Sequence, residues 1–270
     1  MREITDVQEL RGVQMGILRH IDSFCRANGL RYFLCGGTLL GAIRHKGYIP
    51  WDDDIDIMML RDDYDRLLSL YAASDQSQFR LYHPSLQADN PYSFAKIGDV
   101  RTSAVEEVEH PFDTGVNVDI FPIDNLPADA GEVRGAIRRY KFLLNVLTLK
   151  QIKPNGKRGF LKDCFARVGH VVLAPFTCNA IARRMDTNAR RWKHLSSAAQ
   201  RCDLVWGYGE REIMPADIYR EVIEVDFEGE KFMAPVGYDT YLRNLFGDYM
   251  QLPPEDQRVT HHANKMYWKD

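Results

Sequence analysis

A stretch in the first quarter of the chain, GYIPWDDDIDIMML (47–60), constrains the fold most strongly. Four aspartates fall within five positions, and an apolar run follows at once. Such a run predicts a buried strand. Side chains two positions apart on a strand share a face, so Asp54 and Asp56 are expected to point the same way and Asp53 to the opposite face.

These aspartates predict a cation site. Two partly buried carboxylates repel each other and lose solvation unless a cation neutralises them. Asp119, in VNVDIFPID (116–124), repeats the apolar–Asp–apolar pattern and predicts a third carboxylate on another strand. Oxygen ligands without His or Cys favour Mg²⁺ or Mn²⁺. We therefore expect Asp54 and Asp56 to bind a divalent metal ion, with Asp119 as a candidate third carboxylate, whereas Asp52 and Asp53 could equally belong to a helix cap or a solvated loop.

Strands and helices alternate along the first half of the chain. Periodicity and breakers predict helices over 7–27, 38–47 and 61–73, and strands over 31–37 and 116–124. With 270 residues and 45% hydrophobic content, the chain is long enough for one large domain or a core with an appendage. Interleaved elements of this kind indicate an α/β or α+β core.

A glycine pair ahead of the aspartates predicts a phosphate site. Gly36 and Gly37 follow a predicted strand and precede Thr38, where backbone N–H groups and a helix N-terminus can approach a phosphate. Arg44 could add a guanidinium fork to it. A Gly-Gly-Thr helix start, an Asp-x-Asp strand and a third Asp form the arrangement of polymerase-beta-type nucleotidyltransferases. The expected fold is thus α+β, a nucleotidyltransferase-like mixed sheet flanked by helices.

Charge divides the chain into three parts. Residues 134–193 contain 15 Lys+Arg and two Asp, or +13, so the total of −3 leaves −16 elsewhere. We expect a catalytic core over 1–133, a basic helical appendage over 134–193, and a C-terminal part over 194–270 that packs back on the core. Charge asymmetry of this kind suggests an anionic partner. A nucleic-acid-binding module is a weaker alternative, because the basic segment matches no nucleic-acid motif.

The N-terminus shows no signal peptide, so we expect a cytoplasmic protein. The longest uncharged run, 168–182, is 15 residues, whereas a spanning helix needs about 20. The stretch GFLKDCFARVGHVVLAPF (159–176) and its basic neighbours fit either of two roles. It could lie peripherally on an anionic membrane, on its inner face, or its apolar side could pack on the core.

Three blocks of the sequence resemble the LicD family, which includes bacterial phosphocholine transferases and fukutin-related proteins. The first is YFLCGGTLLGAIRHKGYIPWDDDIDIMMLRDDYDRL (32–67), and shorter blocks are VDIFPIDNLP (118–127) and FGDYMQLPPEDQRVTHH (246–262). The resemblance implies metal-dependent transfer of a phosphorylated alcohol, typically phosphocholine, from a CDP-linked donor to a hydroxyl of a glycan or lipid-linked glycan, with release of CMP. It also implies that Asp54, Asp56 and Asp119 form the catalytic metal site, and it implies substrate-binding roles for Lys96, Arg101 and His261.

Two points stay open at this level. The carboxylates do not distinguish phospho-alcohol transfer from true nucleotidyl transfer, in which pyrophosphate leaves. A choline site would need an aromatic cage, and the 13 Tyr, 13 Phe and 4 Trp are too dispersed along the sequence to identify one.

Overall fold

The computed structural model of the protein describes residues 1–74, 77–155, 160–195, 197–258 and 265–270. The described helices are α1 Val7–Ala27, α2 Gly36–Arg44, α3 Arg61–Ala72, α4 Ala130–Gln151, α5 Phe160–Val172, α6 Cys178–Ala189 and α7 Tyr238–Phe246. The described strands are β1 Arg2–Glu3, β2 Phe33–Leu34, β3 Asp56–Leu60, β4 Phe79–Tyr82, β5 Ala95–Asp99, β6 Thr102–Val105, β7 Asn117–Leu126, β8 Gln200–Cys202, β9 Met214–Pro215, β10 Val222–Phe227, β11 Glu230–Pro235 and β12 Lys265–Trp268.

A mixed sheet forms the centre of the molecule. Its main path runs β2-β3-β7-β5-β4, and β8 and β9 extend it from the far end of β7. Strands β3 and β7 are parallel, whereas β2–β3, β7–β5 and β5–β4 are antiparallel. Two smaller sheets, β1-β12-β6 and the β10–β11 hairpin, complete the strand structure described. The expectation of an α+β protein with a mixed sheet and flanking helices is confirmed.

The predicted helices at 7–27 and 61–73 and the strand at 116–124 are confirmed with small changes at their ends. Two boundaries differ in a way that matters for function. The strand expected over 31–37 is only Phe33–Leu34, because α2 already begins at Gly36. Strand β3 begins at Asp56, so residues 52–55 form an extended loop before it.

The helical character predicted for the basic segment is confirmed by α4, α5 and α6. The segment is anchored at both ends. Ala136 and Ile137 of α4 and Trp192 after α6 join the main hydrophobic core, whereas Tyr140 and Met185 belong to a second core between α4 and α6. The predicted division into three parts stays a prediction.

A buried ion cluster ties three elements together. Arg61 at the start of α3 donates to both oxygens of Asp124 on β7, at 2.7 and 2.6 Å, and to Asp186 on α6 at 2.8 Å. Arg61 and Asp124 are fully buried.

None of the helices in the described parts of the chain combines the length and the apolar character needed to cross a membrane.

Candidate active site

Three neighbouring strands bring the central polar residues into one row. Asp56 on β3 is the register partner of Asp119 on β7, and Asp119 is the register partner of Lys96 on β5. Residues paired across strands point to the same face. Lys96 Nζ donates to both carboxylate oxygens of Asp119, at 2.6 and 2.9 Å, and Asn117 Nδ2 donates to one of them at 2.6 Å. The structure therefore brings Asp56 and Asp119 together on neighbouring strands and adds Lys96 as the partner of Asp119, a contact that the sequence did not predict.

Side chains of helix α1 hold the loop before β3 through the backbone carbonyl groups of that loop. Arg11 on α1 donates to the carbonyls of Ile49 and Asp52, at 3.1 and 2.7 Å, and Gln14 donates to the carbonyl of Asp53 at 2.6 Å. Tyr48 fixes Gln14 in turn, since its hydroxyl donates to Gln14 Oε1 at 3.0 Å. These bonds engage carbonyl groups of the loop, so helix α1 fixes the course of the loop backbone.

The expectation for Asp53 is wrong. One carboxylate oxygen from each of Asp52, Asp53 and Asp54 lies within 4.8 Å of the others, so Asp53 does not point to the opposite face. The reason is that these residues precede the strand, where the alternation of side chains does not apply. Asp53 and Asp54 line the same cavity as Asp56 and Asp119.

The glycine pair lies directly against the aspartates. A Cβ on Gly37 would stand 2.6 Å from Asp52 Oδ2, so only glycine lets this carboxylate approach the start of α2. Gly36 has φ +50° and lies beside Asp56, but its N–H already donates to the Tyr241 hydroxyl at 3.2 Å. Thr38 is buried and accepts the Asp56 N–H at 2.8 Å, which positions β3 against α2.

Electrostatics at Asp56 favour a cation. Burial raises the pKa of its carboxyl well above the ordinary range, and Asp54, Asp119 and Asp52 raise it further, whereas Lys96 lowers it. A divalent ion would offset this repulsion. The surrounding donors are all carboxylate oxygens, a set that suits Mg²⁺ or Mn²⁺, and the close grouping of Asp52, Asp53 and Asp54 offers several of them to one ion. The residues present therefore fit such an ion.

Two cavities meet at Asp56. The larger, about 390 Å³, is lined by Asp53, Asp54, Asp119 and Lys96. The smaller, about 300 Å³, is lined by Gly36 and Gly37. Asp56, Phe121, Leu144 and Trp206 line both cavities. Because Leu144 belongs to α4, the basic helical segment forms part of the wall of the site.

The structure places two predicted arginines in other contacts. Arg44, at the C-terminal end of α2, donates to the carbonyls of Tyr249 and Gln251, at 2.7 and 3.2 Å. Arg101 pairs with Asp99 through two nitrogens and stacks 5.4 Å from the Trp268 ring. Neither arginine is among the residues lining the two cavities. His261 lies outside the described residues, so its role stays a prediction.

Sequence reasoning missed the loop-positioning residues Arg11 and Gln14 and four residues of the smaller cavity. Those four are Asp203, Trp206, Tyr208 and Glu212. Their signal in the sequence is the segment DLVWGYGERE (203–212), in which acidic and aromatic residues flank two glycines. Nothing in the sequence links this segment to Asp56, about 150 positions earlier.

Comparison with known proteins shows which family the site-bearing part of the chain resembles. Residues 29–132 match the family model described as "LicD/FKTN/FKRP, nucleotidyltransferase domain", which spans Asp54, Asp56, Lys96 and Asp119. Residues 29–132 thus form a domain of the LicD type.

Over 274 aligned residues, 99% of both chains, the protein is 28% identical to the lipopolysaccharide cholinephosphotransferase LicD of Haemophilus influenzae. It is also 47% identical over 45 residues to human ribitol 5-phosphate transferase FKRP, a match that covers 17% of this chain and 9% of FKRP. The chain carries a LicD-family domain and is an enzyme of the phosphotransferase class.

Proposed function

We propose that this protein transfers phosphocholine from CDP-choline to a hydroxyl of a cell-surface glycan precursor, with release of CMP. The observation that carries the proposal is the row of Asp56, Asp119 and Lys96 between two cavities, in a chain that aligns over its whole length with a lipopolysaccharide cholinephosphotransferase. Two cavities that share Asp56 offer separate places for a donor and an acceptor.

The proposed reaction forms one bond to phosphorus and breaks another. The acceptor hydroxyl oxygen attacks the phosphorus that carries choline, and the bond from that phosphorus to the bridging oxygen breaks, so CMP leaves with the bonding electrons. Asp119 is proposed to accept the hydroxyl proton, and the hydrogen bonds from Lys96 and Asn117 fix the orientation of its carboxylate. Gly36 and Gly37, at the N-terminus of α2, would face the diphosphate of the donor.

Asp54 and Asp56 would hold Mg²⁺ or Mn²⁺, with Asp52 and Asp53 beside them and Asp119 on the neighbouring strand β7. When bound there, such an ion would supply positive charge to offset that of the diphosphate and of the departing CMP. The proposed site predicts that EDTA abolishes turnover and that added Mg²⁺ restores it. Full activity in EDTA would contradict the proposed metal site.

A donor screen with purified protein tests the reaction. CDP-choline, CDP-ribitol, CDP-glycerol and CTP are offered with Mg²⁺, and CMP and pyrophosphate are measured. We expect CMP, and most of it from CDP-choline. Pyrophosphate release would instead indicate nucleotidyl transfer, and the absence of turnover and binding for every cytidine nucleotide would refute the proposed substrate class.

We also propose that α5 contacts an anionic membrane surface from the cytoplasmic side, which would bring the enzyme to a lipid-linked acceptor. Apolar side chains of α5 and the turn after it are largely exposed, among them Phe165 at 69%, Val168 at 62% and Val171 at 77%. Arg167 lies exposed on the same helix, and the segment 134–193 carries +13. Exposed apolar residues beside basic ones favour binding to anionic lipid. The basic residues Lys157 and Arg158 lie outside the described residues.

Liposome co-sedimentation tests this contact. Vesicles with phosphatidylglycerol are expected to bind the protein and pure phosphatidylcholine vesicles are not, and binding should weaken as salt rises. Replacing Phe165 and Val168 by serine should reduce binding, whereas Leu86→Ser, an exposed leucine outside this segment, should not. If the wild-type protein ignores anionic vesicles at low salt, the membrane proposal fails and the chemistry at Asp56 is unaffected.

A further inference from the structure

The smaller cavity beside Asp56 is unusually rich in aromatic side chains. It is lined by six of them, namely Phe121, Tyr140, Trp206, Tyr208, Tyr219 and Tyr241. Phe121, Tyr140, Tyr219 and Tyr241 are buried and form its inner part, whereas Trp206 and Tyr208 are 47% and 54% exposed. Large aromatic side chains left this exposed beside a cavity are available to a ligand.

The loop after β8 is built to hold Trp206 and Tyr208 in this position. Asp203 Oδ1 accepts the backbone N–H of Val205 and of Trp206, at 2.8 and 3.1 Å. Gly207 then takes φ +95°, a conformation that other residues rarely adopt. The Trp206 ring packs against Phe94, with 5.8 Å between centroids, and the Tyr208 ring packs edge-on against Phe246 at 5.9 Å. Each ring is therefore supported by a phenylalanine while much of its surface stays open.

Two carboxylates of the same cavity converge beside Gly207. A Cβ on Gly207 would stand 2.9 Å from Glu212 Oε1 and 3.4 Å from Asp203 Oδ2. Glu212 is only 7% exposed, and burial raises the pKa of its carboxyl to about 7. Burial also raises the pKa of Asp203 well above its usual range, with Glu212 as the next cause. Within the described residues neither carboxylate forms an ion pair with Lys or Arg.

A cavity of this composition selects for one kind of ligand. Buried carboxylates without a basic partner are costly, and a bound cation would remove that cost. Aromatic faces attract cations that do not need hydrogen bonds, and quaternary ammonium groups are the typical example. A neutral pyrimidine could stack on the rings, but, unlike a cation, it would not offset the cost of ionising the two carboxyl groups.

We propose that this cavity binds the quaternary ammonium group of choline, with Trp206 and Tyr208 as aromatic walls and Asp203 and Glu212 as counter-charges. The inference rests on the proposed function and deepens it, because it assigns residues to recognition of the transferred alcohol. Position supports it, since Asp56, Gly36 and Gly37 line the same cavity. A donor with its diphosphate at these residues can therefore place its choline group next to the aromatic side chains.

Binding measurements separate recognition of choline from recognition of cytidine. The dissociation constants of CDP-choline, CMP, phosphocholine and CDP-3,3-dimethylbutanol, the uncharged isostere of CDP-choline, are compared for wild type, Trp206→Leu and Glu212→Gln. Cation–π and counter-charge contributions of about 1–2 kcal/mol correspond to an approximately tenfold weaker binding of CDP-choline in each variant. CMP binding is expected to stay within about twofold, which also shows that the variants are folded. Glu210→Gln, an exposed neighbour outside the cavity lining, is the matched control and should resemble wild type.

Each outcome decides between the hypotheses. If the variants weaken CMP and CDP-choline equally, the cavity recognises the cytidine half and the inference is overturned. Equal wild-type affinity for CDP-choline and its uncharged isostere would also overturn it. If wild type binds phosphocholine, and the two variants bind it less well, while no CDP-linked donor is turned over, the ammonium site stands and the proposed reaction fails. Binding of neither CDP-choline nor phosphocholine would refute both.

Discussion

Replacing Glu212 by glutamine is expected to remove a pH-dependent loss of stability. In the folded protein, burial raises the pKa of Glu212 from 4.5 to about 7. The folded state therefore binds more protons than the unfolded state between these two values, and the free energy of unfolding falls as pH rises through that window. The neutral carboxyl makes its full contribution to the free energy of unfolding below about pH 4.5, and this contribution is lost by about pH 8.

The size of this stability difference follows from the pKa shift of Glu212. At about 1.4 kcal/mol per pKa unit, a rise from 4.5 to about 7 corresponds to about 3 kcal/mol. Titratable groups around Glu212 are Asp203, Cys35, Cys202 and tyrosines 140, 208, 219 and 241. Asp203 is the acidic neighbour whose own shift depends on Glu212, so Glu212→Gln also relieves part of the cost at Asp203. About 3 kcal/mol is thus the expected gain of the variant over wild type at pH 8, and near zero is expected at pH 4.5.

Urea unfolding of the ligand-free protein from pH 4.5 to 8 measures this difference. The free energy of unfolding of wild type should fall relative to that of Glu212→Gln, mainly between pH 5 and 7, with similar slopes against urea. Glu210→Gln, in the same turn but exposed, should follow wild type. Parallel curves for wild type and Glu212→Gln across this range would refute the claim that burial keeps Glu212 protonated.

Three further predictions concern the aspartates and the buried ion cluster. Asp54→Asn and Asp56→Asn should each lower kcat by about 10³-fold or more in a CMP-release assay, with unchanged circular dichroism, because each loses a proposed metal ligand. Asp53→Asn, whose carboxylate lies with those of Asp52 and Asp54, should weaken Mn²⁺ binding measured by calorimetry, and an unchanged affinity would exclude it from the ligand set. Arg61→Leu should cost about 3–5 kcal/mol in urea unfolding by leaving Asp124 buried without its partner, and Arg61→Leu/Asp124→Leu should recover much of that loss; additive losses would contradict the coupling.

Local sequence pattern was sufficient to predict strand β3 and the strand that carries Asp119. The apolar run after the aspartates, the Gly-Gly pair and the isolated Asp119 predict the elements on which Asp56 and Asp119 lie, because strand burial and alternation are visible in a few residues. The face of Asp53 was predicted wrongly from the same pattern. Alternation holds only where strand pairing fixes the backbone, and pairing with β7 begins at Asp56.

Long-range packing decided the rest of the site. The sequence by itself determined an α+β chain with a carboxylate row, and the charge separation that marks residues 134–193. Only the tertiary structure showed that Lys96 pairs with Asp119, that Arg44 and Arg101 are held by the chain's own oxygens, and that residues 203–212 face Asp56. Except for the Arg101–Asp99 pair, these contacts join residues far apart in sequence. The pairing of β5, β7 and β8 in one sheet brings Lys96, Asp119 and the segment after β8 together, and no local periodicity encodes that pairing.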